Sequence, residues 1–95
     1  MVIQLKDYVT KCYDNSDGLL IYEQIKNAWP EILRSDSKLV LSFKDFDFIT
    51  TSFLNASLVK IAEERSISEL KTHLSIIDSN KAINDAIRNR LSSNL

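Results

Sequence analysis

Apolar positions recur along this chain with two different periods. Ile21, Ile25, Ala28, Trp29 and Ile32 are spaced by three and four residues, the period of one helical face. Ser16-Asp17-Gly18 reads as the turn into that helix, with Asp17 as its N-cap, because a carboxylate there accepts from an unpaired backbone N–H. Pro30 is predicted to end or kink the helix near Trp29, or to restart it in a new first turn. A second helix is expected from about residue 52 to 65, with Leu54, Leu58, Ile61 and Ala62 as its stripe. A last one is expected from about 80 to 91, with Ile83, Ala86, Ile87 and Leu91 inside and Asp78-Ser79-Asn80 as capping residues.

Other segments read as strands. Leu39-Val40-Leu41-Ser42-Phe43 is a near-continuous apolar run of strand length, which fits a central strand covered on both faces. Leu74 to Ile77 reads as another buried strand, and Val2 to Leu5 as a short one. Phe46, Phe48 and Thr50 alternate with Asp47 and Ile49, predicting a further extended piece. The order β, α, β, α, β, α implies an α/β domain with a mostly parallel or mixed sheet of about four strands and three helices. Residues 1–95 read as one domain.

Composition narrows the function. Twelve basic against thirteen acidic residues leave a net charge of −1, so the basic stripe expected of avid nucleic-acid binding is missing. One cysteine, Cys12, rules out an internal disulfide, and one histidine, His73, with it makes a Cys/His metal site implausible. No apolar run approaches the ~20 residues that span a bilayer, and Met1 to Tyr8 has no signal-like core. The expectation is a cytoplasmic domain without cofactor or metal. No Gly-rich phosphate loop follows any predicted strand.

Several residues carry chemistry, each with a plainer alternative. Thr50-Thr51-Ser52 lies between a predicted strand end and a helix start, where one hydroxyl can cap the helix and others can accept phosphate. Asp45 and Asp47 flank Phe46. They could act as an acid–base pair or metal ligands, or simply face water. His73 has no identifiable nucleophile beside it in sequence and reads as a strand-end residue. Cys12 reads as a small buried residue, and Trp29 as core packing or a partner anchor. Lys81, Arg88 and Arg90 make the last helix locally positive, in keeping with its dipole.

The stretch Leu39 to Phe43 followed by Phe46-Asp47-Phe48-Ile49-Thr50-Thr51-Ser52-Phe53-Leu54 resembles the core of the STAS superfamily. That superfamily comprises the sulfate-transporter and anti-sigma-factor-antagonist domains. The closer similarity is to the STAS-like family of small bacterial domains of unknown function, which Ser16-Asp17-Gly18-Leu19 and Ser52-Phe53 also resemble. In the antagonists the corresponding helix opens with Asp-Ser-Ser/Thr-Gly. Its first Ser is phosphorylated by a partner of the histidine-kinase-like ATPase fold, which releases that partner. The resemblance places Thr50 at the Asp, Thr51 at the phosphorylated position, Ser52 at the second hydroxyl and Phe53 at the Gly. Ser42 stands where many relatives carry an Asp.

The resemblance implies a regulatory protein-interaction module with no catalysis of its own, monomeric or weakly dimeric. Thr51 and Ser52 are then the phosphorylation candidates. Asp45, Asp47, Thr50, Phe53 and Asn55 are the partner-binding candidates. A nucleotide or small-ligand sensor, or a structural subunit of a bacterial multi-protein system, is the alternative.

Overall fold

A computed structural model describes residues 1–92. Three short strands form one sheet: β1 (Val2–Gln4), β2 (Leu39–Ser42) and β3 (Leu74–Ile77), in the order β1-β2-β3 and parallel throughout. The helices are α1 (Asn15–Ser35), α2 (Thr51–Ala56), α3 (Leu58–Glu64), α4 (Ile67–His73) and α5 (Lys81–Ser92), with one turn of 3-10 helix at Leu5–Asp7. The α/β class holds, with three strands rather than about four and five α-helices rather than three among the described residues.

The missing strand is 46–50, which has no strand partner and runs as irregular chain into α2. Its alternation reflects a loop that buries Ile49 and leaves Asp47 and Phe48 exposed. The expected single helix over 52–65 is two helices broken at Ser57, whose backbone leaves the helical region (φ −119°, ψ −94°). Ser57 is fully buried, and its hydroxyl donates to the Phe53 carbonyl at 2.8 Å. Its own N–H turns to the Leu54 carbonyl at 3.2 Å. This is the competition of a local side-chain bond with the helical ladder. Helix α4 is the element the apolar pattern passes over. Its sequence signal is Ser66-x-x-Glu69, where the Ser66 hydroxyl accepts from the Glu69 N–H at 3.0 Å.

Helix α1 runs unbroken through Pro30 to Ser35. Lys26 and Pro30 are exposed, so the Lys26 carbonyl that loses its donor lies on the water side. On the other side Ile25, Trp29 and Ile32 are buried and hold the helix across the lost bond. The helix ends at Asp36 in the left-handed region (φ 51°), with the Asp36 N–H on the Leu33 carbonyl. Its N-cap is Asp14, not Asp17. Asp17 sits one turn in and reaches back to accept the Asp14 N–H at 3.1 Å.

The sheet buries one face. Ile3, Leu41 and Ile76 share a register row, and together with Leu39 and Phe43 they pack into the core with the helices. The opposite row is Val2, Val40 and Ser75, with Val2 exposed and the other two partly covered. β2 is therefore central in the sheet but covered by helices on one face only. On the other, Ser42 is hidden because its hydroxyl donates to the Asp78 carboxylate at 2.7 Å.

Gly18 sets the distance between α1 and α2. A Cβ there would lie 2.5 Å from the Phe53 carbonyl oxygen and 2.8 Å from the Ala56 Cβ. Gly18→Ala is expected to cost about 1–3 kcal/mol of overpacking, outweighing the ~1 kcal/mol gain in helix propensity. A lowered urea midpoint checks this, and an unchanged or raised one would contradict the close approach.

Candidate functional site

Because the three strands are parallel, their carboxyl ends deliver three connections to one edge. These are residues 5–14 after β1, 43–50 after β2 and 78–80 after β3. In open α/β sheets this edge is where ligands and partners bind. Here the connections are tied together by polar bonds. Lys6 pairs with Asp45 at 3.2 Å across an exposed gap. The Thr50 N–H donates to the Cys12 carbonyl at 3.1 Å. The Asn80 side chain donates to the Asp47 carbonyl at 2.8 Å and accepts from the Ile83 N–H at 2.8 Å, which also caps α5.

The hydroxyl cluster divides by role. Thr50 is the N-cap of α2: its Oγ1 accepts from the Phe53 N–H at 3.1 Å and donates to the Tyr13 carbonyl. That hydroxyl is committed to holding the loop. Thr51 and Ser52 are exposed, and neither hydroxyl is bonded among the described residues. Phe53, expected at the partner-binding face, is 1% exposed and belongs to the core. The reason is the helical turn, which rotates Phe53 and Leu54 inward as it points Thr51 and Ser52 out. Asn55 is exposed and accepts from the Arg90 Nε at 2.7 Å, linking α2 to α5.

Asp45 and Asp47 do not lie along a strand. Asp45 occupies the left-handed region (φ 73°) in a turn and pairs with Lys6, while Asp47 is exposed in the following loop. Among the described residues no group of three potential ligands gathers anywhere.

Two aromatic residues outside the expected site residues come together here. Tyr13 and Phe48 stack with ring centroids 5.0 Å apart and 16° between planes, and both remain more than 40% exposed. The Lys11 ammonium lies 5.9 Å from the Tyr13 ring centre. The only sequence signal for this pair was their aromatic character, since their exposure follows from 46–50 being a loop. A shallow hollow of about 130 Å³ lies between Thr10, Lys11, Tyr13 and the 45–48 loop.

A charged knot supports the platform. Lys11 bonds both Asp14 and Asp17 at 2.8 Å, and these bonds raise its pKa. Burial alone would raise the Asp17 carboxyl. The Lys11 ammonium and the N–H groups of Asp14 and Tyr13 outweigh it and hold the carboxyl below its usual range. Cys12, fully buried beside them, has its thiol pushed up to about 12, chiefly by burial.

His73 and Trp29 lie at the other end of the sheet. His73 closes α4 with its Nδ1 2.9 Å from the Ser37 carbonyl oxygen, and its ring meets Trp29 edge-on at 6.3 Å. Both are packing residues at the strands' amino ends, remote from Thr51. Lys81 and Arg88 pair with Asp85 along α5.

No family model matches this sequence, and no match was found among curated proteins or solved structures. Among the described residues no helix is long and apolar enough to cross a membrane.

Two outcomes follow. Cys12 is expected to resist a thiol reagent at about pH 8 in the folded protein and to react fully in denaturant, as counted by mass spectrometry. Asp17→Asn is expected to cost about 1 kcal/mol near neutral pH. Because folding lowers this carboxyl's pKa, its contribution is complete above the unfolded value near ~3.9 and disappears as pH falls through the folded one. Denaturation of the two proteins should therefore converge at acid pH.

Proposed function

We propose that this chain is a non-catalytic protein-interaction domain whose partner docks on the carboxyl edge of the sheet. The observation that carries this is the exposed Tyr13–Phe48 stack, tied through the Tyr13 carbonyl to Thr50 at the start of α2, where the Thr51 and Ser52 hydroxyls are exposed and unbonded among the described residues. Exposed rigid aromatics are typical anchors of protein interfaces. The hollow against the stack is small, about 130 Å³, and a wider one of about 420 Å³ lies between Thr51 and α5. An exposed aromatic pair of this kind suits a protein partner.

The resemblance to anti-sigma-factor antagonists supplies the class of partner, a histidine-kinase-like ATPase acting in a bacterial cytoplasm. It also supplies the switch. Phosphate on Thr51 or Ser52 would add roughly −1.5 to −2 charge to a surface that already carries Asp45 and Asp47. The added repulsion and hydration favour release of an acidic or apolar contact. Catalysis is disfavoured by the arrangement of the reactive groups: the Cys12 thiol is buried, and the His73 ring is held at the opposite end of the sheet.

The experiment is affinity capture with four baits: wild type, Thr51→Glu, Ser52→Glu and Phe48→Ala. A kinase-like ATPase retained by wild type and lost with either Glu bait supports the switch. Phe48→Ala is expected to weaken that contact by about 2 kcal/mol, some thirtyfold. The same partner held equally by all four baits would move the interface elsewhere on the domain.

A further inference from the structure

A second surface lies on the flank of α5 turned away from Thr51. Helix α4, the start of β3 and the last turns of α5 enclose a cleft of about 210 Å³. Its walls are Ile67, Leu70, Leu74, Ile87 and Leu91, and the two remaining lining residues are Lys71 and Arg88. Leu70 is buried, but the other four aliphatic residues are only partly covered, so apolar wall stays in contact with water.

The two charged residues that line it are both cations. Among the described residues no carboxylate lines the cleft. Lys71 makes no ion pair among the described residues. Arg88 uses one nitrogen on Asp85, at 3.2 Å, and a guanidinium keeps further N–H donors beyond that. Asp85 is itself shared with Lys81 at 2.7 Å. A cation in the last turn of α4 is favoured by the helix dipole, which accounts for Lys71 alone. It does not account for a second cation, Arg88, on the same apolar hollow.

We propose that this cleft binds a medium-chain amphiphilic carboxylate. The tail lies against Leu70, Leu74 and Ile87, and the head group sits between Lys71 and Arg88. Volume sets the length. Counting each methylene at about the ~30 Å³ that a water takes up in the liquid, the cleft accommodates a chain of about six to eight carbons. This site is separate from the carboxyl-edge platform and does not depend on how that platform is used.

The test uses the ¹⁵N-labelled full chain with octanoate as probe. Octanoate is expected to shift the amides of 67–74 and 87–91 saturably. Binding should tighten about fourfold for each carbon added from butanoate, then level off once the cleft is full. A Lys71→Glu/Arg88→Glu variant is expected to keep its native spectrum and bind octanoate at least about tenfold more weakly. Equal binding of octylammonium would overturn the anion assignment. Octanoate shifts confined to other residues, or none at millimolar concentration, would overturn the site. Shifts at these residues that depend on protein concentration without any ligand would instead make the cleft a contact between copies.

Discussion

The contact between the Gly18 backbone and the Phe53 carbonyl is the constraint on which the site rests. Only a residue without a side chain lets α1 approach α2 so closely. The same carbonyl takes the Ser57 hydroxyl, so the break that ends α2 is built on the oxygen that Gly18 faces. The approach also brings the chain just before α1 against the start of α2. There the Tyr13 and Cys12 carbonyls receive the hydroxyl and amide of Thr50. Backbone packing, capping and the position of the exposed hydroxyls are therefore one coupled arrangement.

The electrostatics of the carboxyl edge are local. Lys11 offsets one of the two charges of Asp14 and Asp17 while fixing the entry to α1, and Lys6 neutralises Asp45 in the neighbouring loop. Among the described residues the edge also exposes an aromatic pair, two hydroxyls and the charges of Asp7, Lys44 and Asp47. The edge is thus suited to recognition by shape and to a change of charge, which a phosphoryl group provides. The α5 cleft has the complementary character of an apolar hollow with a positive rim. The two surfaces are separated by α5, whose Ala86 and Arg90 face Thr51 while Ile87 and Leu91 face the cleft.

The sequence by itself determined the α/β class, the three strands and both long helices. These rest on hydrophobic periodicity, which survives whatever the neighbouring elements do. Local chemistry made the Thr50-Thr51-Ser52 helix start legible too, and the capping residues before α5. Tertiary context decided the rest. Pro30 stays inside α1 because Trp29 and Ile32 are buried across the missing bond, and Ser57 divides an apolar stripe that reads as one helix. Phe53 turns inward because α2 packs on Gly18, a contact between residues far apart in the chain. The Tyr13–Phe48 stack and the cleft beside β3 depend on loops and helix ends meeting in space. No period or spacing along a single segment records such meetings, because their energy exists only once the segments are packed together.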